Sequence, residues 1–147
     1  MSEPKSALIV KEKWALKLLN GEKTWEIRGS STSKRGKIAI AISGTGKLFG
    51  EITLVDAKLV GYRLPDGRLV KGDVADADFI ENNFEHHQIE PEEMQLVNYR
   101  KVWAWIMADP VKYIPPRTYT HQQGCVIWNP LGETKSKPKV SVTAVKK

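Results

Sequence analysis

The chain has 147 residues, 41% hydrophobic and 27% charged, which suits one globular domain and is too short for two ordinary ones. No apolar run approaches the roughly 20 residues that cross a bilayer, the N-terminal ALIV lacks the features of a secretory signal, and the single Cys125 excludes an internal disulfide and a cysteine-rich zinc site. The net charge of +6 is carried unevenly: +6 over residues 1–74, −4 over 75–131 and +4 over 132–147.

The first predicted elements are a strand in SALIVK, a helix over residues 11–20 and a strand in KTWEIR. The helix has one apolar face at helical spacing, formed by Trp14, Ala15, Leu18 and Leu19. Asn20-Gly21 ends it, because glycine tolerates the left-handed conformation that closes a helix. In the strand the period becomes two, so Trp25 and Ile27 point to one face while Glu26 and Arg28 point to the other. Lys23 stands at the junction.

The middle of the chain predicts a polar, basic loop, a buried strand, a long bent strand and a helical insertion. The loop is GSSTSKRG and the buried strand is KIAIAIS. The long strand is LFGEITLVDAKLVGYR, bent near Gly50. The insertion has one helix in DVADADFIENNFEHH, with acidic residues early, and a second in PEEMQLVNY, with Pro91 at its first position.

The last elements are a strand in KVWAWIMADPVKYI, a proline-led loop in PPRTYTHQQG and a strand in CVIWNPL. From Gly132 onward the chain is rich in Lys, Ser and Thr, with little to bury, so residues 132–147 are predicted to form a disordered basic tail. The order of elements lacks a βαβ series. It therefore predicts an α+β domain over residues 1–131, built on a mixed β-barrel.

Three segments in order resemble the ASCH domain of the PUA-like superfamily: KWALKLLNGEKTWEIR with its Gly-x-Lys and Glu-x-Arg, then GKIAIAIS, then WAWIMADPVKYIPPRTYTHQQGCVIWNPL. The resemblance covers about residues 5–131; where many family members have Gln-Pro before the first tryptophan, Glu12-Lys13 stand here. It implies a pseudobarrel of five to six strands with two to three short helices. It also implies a cleft between helix and barrel, faced by Lys23, Glu26 and Arg28, and binding of RNA or a modified nucleoside.

The residue types also fit a nucleic-acid site, which needs cations for phosphate, hydrogen-bonding groups for base edges and a flat surface for stacking. The predicted phosphate contacts are Lys23, Arg28, Lys34 and Arg35. The predicted base contacts are Glu26, Ser43, His121 and Gln122, and Trp14 is the predicted stacking surface. The alternatives are a solvent-exposed ion pair for Glu26 and Arg28, and a charge of +6 that serves solubility only.

A hydrolase is the alternative function, and the sequence leaves open whether the chain is an enzyme. Some small ASCH proteins are amidohydrolases of acetylcytidine that use a threonine three residues after the lysine, where this chain has Glu26. Other family members resemble ribonucleases, and the candidate catalytic residues here are Lys23, Glu26 and His121. Adjacent His86 and His87 diverge on a helix, so no metal is expected. We also expect no cofactor, no membrane partner, a monomer and a cytoplasmic location.

Overall fold

The computed structural model describes residues 3–132, in which seven strands and three short helices alternate with loops. The strands are β1 (Ser6–Val10), β2 (Trp25–Arg28), β3 (Gly36–Ile42), β4 (Lys47–Arg63), β5 (Leu69–Val70), β6 (Lys101–Thr118) and β7 (Trp128–Pro130). The helices are α1 (Glu12–Leu19), α2 (Phe84–His87) and α3 (Pro91–Met94). The predicted α+β class is confirmed. The predicted tail lies outside the described residues, apart from Gly132.

The strands form one open sheet in the order β2-β6-β4-β3-β1-β7, with β5 paired to β4. β1 runs parallel to β3 and antiparallel to β7. β4 and β6 pair along most of their length, and the register shifts at four places. Such bulges bend the strands and increase their twist, which gives the sheet its barrel-like form. The sequence predicted five to six strands, and the described residues form seven. Two of these seven, β5 and β7, are only two and three residues long.

The described residues form three apolar clusters, and alternation along β6 separates two of them. Trp105 and Met107 pack with α1 and the central strands, while Val102 and Ala104 pack with β2 and the helical insertion. α1 begins at Glu12 and ends at Leu19, and Gly21 has a φ of 81°, as its sequence predicted. In residues 3–132 the longest helix has eight residues, so none of the described helices crosses a bilayer.

The insertion between β5 and β6 is less helical than its apolar spacing predicted. Two 3-10 turns, Asp76–Asp78 and Ile80–Asn82, precede the four-residue α2. The Asn83 side chain donates to the carbonyls of Ala77 and Phe79, at 2.9 and 2.8 Å. Asparagine competes in this way for backbone groups that a continuous helix would use.

The proline-led loop was also misplaced, because Pro115 to Thr118 belong to β6. Leu48 pairs with Arg117 and Gly50 with Lys112, so residues 113–116 of β6 face Phe49 alone. The prolines lie in this bulge, where no ladder hydrogen bond is required of them. The predicted last strand is shorter than expected, and Val126 before it is 76% exposed.

Candidate nucleic-acid interface

A cleft of about 670 Å³ lies between α1, β2 and the helical insertion. Five of the predicted site residues line it, namely Trp14, Lys23, Glu26, Arg28 and Ser43. The remaining lining residues come from β1, the start of α1, β2, the insertion and the segment before β7, and are Ile9, Lys11, Lys13, Ile27, Ile89, Glu93, Leu96, Val97, Asn98, Tyr99 and Val126. Its volume is within the range of small-molecule sites.

Glu26 and Arg28 form a buried ion pair on one face of β2. Arg28 Nε donates to Glu26 Oε2 at 2.9 Å. The Arg28 side chain is 15% exposed and the Glu26 side chain 6% exposed. Arg28 Nη2 donates to the carbonyl of Ile9, at 3.0 Å. Glu26 Oε1 has no hydrogen-bond partner among residues 3–132. The pair is therefore not a solvent-exposed one, and it offers the cleft a carboxylate oxygen.

Lys23 is 1% exposed, which is unusual for a lysine. Its Nζ donates to the carbonyl of His87 and lies 4.6 Å from the centroid of the Trp14 ring. Burial lowers the pKa of Lys23 to about 8, an effect that the nearby Glu26 carboxylate partly opposes. The ammonium is thus poised to lose its proton in mildly alkaline solution.

Trp14 is half-buried, and its ring is already engaged by two cations. Lys13 Nζ lies 4.8 Å from the ring centroid, in addition to Lys23. Lys13 also pairs with Glu93 at the mouth of the cleft. These contacts occupy the ring that the sequence suggested for base stacking.

His87 anchors Lys23 from α2. Its Nδ1 accepts from the Ile89 amide at 2.9 Å, so its Nε2 donates to the Ile80 carbonyl at 3.0 Å. Burial first, and the Lys23 charge second, lower the pKa of His87 to about 4. The imidazole is therefore neutral at pH 7, and its two bonds fix the carbonyl that receives Lys23.

The other predicted site residues lie outside this cleft. Lys34 Nζ is 5.0 Å from the centroid of Trp128, which stacks on Trp105. Arg35 bonds the carbonyls of its own loop and pairs with the exposed Asp56 at 3.4 Å. The backbone amide of Gln122 donates to Asn129 Oδ1.

His121 lines a neighbouring hollow that meets the cleft at Ser43, Ile9 and Val126. Its Nδ1 lies 2.9 Å from the Tyr119 hydroxyl and its Nε2 lies 3.0 Å from the Cys125 carbonyl. Both ring nitrogens are thus occupied in this structure. Cys125 is only partly buried.

Comparisons with known proteins identify the fold. No family model matches the chain, and no curated protein matches its sequence. The structure is similar to the crystal structure of ASCH from Zymomonas mobilis, at 12% identity over 73% of this chain and 68% of that one, with a TM-score of 0.53. The structure of a serine-to-alanine mutant of that protein aligns over 88% of this chain and 91% of the mutant chain, at 12% identity and a TM-score of 0.62.

This chain has the ASCH fold. The likeness to solved structures confirms the resemblance at the level of fold.

Within this ASCH fold, sequence reasoning missed the segment 89–99, which forms one wall of the cleft. Tyr99 in that segment is 37% exposed. Its ring lies against Gly29, since a Cβ built there would be 2.5 Å from Tyr99 Cδ1 and 3.0 Å from Cγ. The sequence signal for this contact was Gly29, directly after Arg28, but nothing in the sequence identified Tyr99 as the residue that packs on it. Within residues 3–132, no three His, Cys, Asp or Glu side chains are placed to hold a metal ion.

Proposed function

We propose that the cleft of this ASCH-fold protein binds a base of RNA or a modified nucleoside. The observation that supports this most is the meeting of Lys23, Glu26 and Arg28 in one cleft with aromatic residues. Glu26 Oε1 is an acceptor without a partner in the described chain, held in place by the Arg28 bond to Oε2. A fixed carboxylate suits the amino group of a base, as it does in nucleic-acid complexes where Glu or Asp accepts from cytosine N4.

The charges of the cleft suit an anion next to that base. Lys11, Lys13, Lys23 and Arg28 line it with Glu26 and Glu93, so cations outnumber carboxylates. Glu93 is already paired with Lys13. Phosphate contacts from Lys and Arg fix the register of a nucleic acid, while base-edge contacts give selectivity.

A second candidate function, hydrolysis of RNA or of an acylated nucleoside, is favoured by the lowered pKa of Lys23. At a pKa of about 8, a fraction of the amine is neutral near pH 7 and can accept a proton from an attacking hydroxyl. The position at which family amidohydrolases carry a threonine nucleophile holds Glu26. Binding is therefore the main proposal.

One substitution separates the two functions. Glu26→Gln keeps the shape and the bond from Arg28 but removes the charge. In a binding module it lowers affinity for the preferred base by about 1–3 kcal/mol, with little effect on other RNAs. In a hydrolase that uses Glu26 as the general base, it lowers turnover roughly 10²–10⁴-fold while the ligand still binds. In a hydrolase that uses Lys23 as the general base, Lys23→Met causes that loss.

The matched control is Glu51→Gln. Glu51 is also a carboxylate held by a cation and a donor, Lys37 at 3.1 Å and the Tyr113 hydroxyl at 2.7 Å, but it lies outside the cleft. For both variants, the affinity for the four ribonucleosides and for short RNAs is measured, together with the rate of hydrolysis of these ligands. If Glu26→Gln behaves as Glu51→Gln does in every assay, the cleft assignment is wrong.

A further inference from the structure

A second hollow of about 840 Å³ continues from the cleft beyond Tyr99. Asn98 and Tyr99 line both spaces, and Gly29, next to Arg28, lines the second. The charged residues that line it are Arg63, Arg100 and Lys101, and no carboxylate joins them. We name this hollow the basic groove. Cleft and groove together form one path along the wall between β2, β4 and β6.

The cations of the basic groove lack acidic partners. Arg100 and Lys101 are exposed, and no carboxylate in the described residues lies within 4.0 Å of either. Elsewhere, Lys58, Arg68 and Lys71 are each paired with an aspartate. Within the described residues no ion pair neutralises Arg100 or Lys101, and the Asp73 carboxylate accepts from the hydroxyl of Tyr62, which lines the groove.

Arg63 lines the basic groove and also a separate hollow of about 630 Å³. Its Nη1 donates to the Gly67 carbonyl at 2.6 Å and its Nη2 to the Met94 carbonyl at 3.0 Å. Its Nε is buried without a partner. Gly67 and Met94 line that separate hollow and not the basic groove, so the guanidinium of Arg63 is engaged away from the groove.

Tyr99 stands where the cleft meets the basic groove. Its ring is held against the Gly29 backbone and more than a third of the residue is exposed. A flat, fixed aromatic surface beside cations is the arrangement on which successive bases of a single strand stack, independent of their sequence.

We infer that the ligand is a single strand of RNA, with one base in the cleft, the next stacked on Tyr99, and its phosphates following Arg100 and Lys101. The inference rests on the proposed function, because the base in the cleft sets the start of the path. An acidic peptide fits less well, since it could pair with the cations of the basic groove but would bring no base amino group to the Glu26 oxygen in the cleft. A free nucleoside would leave the basic groove empty.

The test uses the full chain and four RNAs of eight nucleotides, all uridine except for one central A, C, G or U. Fluorescence anisotropy gives affinity as a function of salt for the wild type and for Arg100→Gln/Lys101→Gln. The matched control is Lys47→Gln/Lys112→Gln, which removes two exposed lysines outside both hollows. Circular dichroism verifies that all variants are folded.

The groove variant is expected to weaken all four RNAs alike. It should make the slope of log affinity against log salt shallower by about 1.4, which is about 0.7 for each lost phosphate contact. The control variant should leave most of that slope intact. A wild type that binds the octanucleotides more tightly than free ribonucleosides also supports the inference.

Other outcomes overturn one proposal or both. If the groove variant changes the slope no more than the control does, the strand does not follow the groove, while a base ranking that still depends on Glu26 keeps the cleft proposal. If the slope depends on the groove and the ranking ignores Glu26→Gln, the strand path stands and base reading fails. If octaglutamate displaces the bound RNA as well as unlabelled RNA does, the groove is a peptide surface. Absence of RNA binding by the wild type overturns both.

Discussion

Arg28 bonds Glu26 through Nε and the Ile9 carbonyl through Nη2, so one guanidinium joins β2 to β1 across the cleft. The two bonds leave from different nitrogens, and a lysine can replace only one of them. We expect Arg28→Lys to lower the free energy of unfolding by about 1–3 kcal/mol and to weaken RNA binding. Urea denaturation measures the first effect. Arg35→Lys is the control, because Arg35 is exposed, and its change should stay within about 0.5 kcal/mol.

The lowered pKa of Lys23 predicts how function depends on pH. If the ammonium binds the ligand, affinity falls as pH rises through about 8. If the neutral amine is a general base, turnover rises over the same interval. Lys23→Met should flatten either profile, and measurements from pH 6.5 to 9.5 distinguish the two functions. A wild-type profile that is flat in both assays would remove Lys23 from the site.

The same group predicts a stability change that does not depend on any ligand. Between pH 8 and 10 the unfolded chain keeps a proton that folded Lys23 has lost. The unfolded state then binds more protons, so the free energy of unfolding rises with pH in that window. The urea midpoint of the wild type should increase from pH 8 to pH 10. In Lys23→Met this increase should be smaller.

His87 predicts loss of stability in mild acid. Its folded pKa of about 4 lies below its ordinary value of 6.5. Its contribution is complete above pH 6.5 and is lost as pH falls toward 4, because the unfolded chain takes up a proton that the folded chain does not. The urea midpoint should fall between pH 7 and pH 5. His87→Gln should lower the midpoint at pH 7 and reduce the difference between the two pH values.

Gly29→Ala should displace Tyr99 without disturbing the main cores. A methyl group there would meet the Tyr99 ring at 2.5 Å, and the backbone of Gly29 is outside the left-handed region. RNA affinity should fall by about 1–3 kcal/mol, the value of one stacked base. Ser30→Ala, in the next position, is the control. Equal affinities for Gly29→Ala, Ser30→Ala and wild type would exclude Tyr99 as a stacking surface.

Local pattern was enough to predict α1, β2, β3 and β4, because their apolar residues repeat with the period of one element. It placed Glu26 and Arg28 on one face of a strand with Lys23 at its junction, while their position in one cleft was implied by the resemblance to the ASCH domain. It could not predict that Lys23 is buried, since its partner is a carbonyl of α2, distant in sequence. Tyr99 was missed for the same reason. The monomeric state and the cytoplasmic location stay predictions.

Loss of helix in the insertion and continuation of β6 through its prolines also depended on distant partners. The Asn83 side chain competes for carbonyls that only the folded insertion brings near it. The two prolines are tolerated because β4 skips them in the ladder. Neither contact leaves a periodic signal in the sequence.

The pairing of β1 with β7 has a consequence for biosynthesis. One side of β1 is matched by β3 soon after it is made, but the other waits for Trp128, Asn129 and Pro130. During translation this side of β1 is therefore an open edge, and open edges recruit strands from other molecules. Closing so long a loop late is also slow. A ribosome-bound nascent chain that ends before Trp128 should depend on chaperones more than one that ends after Pro130.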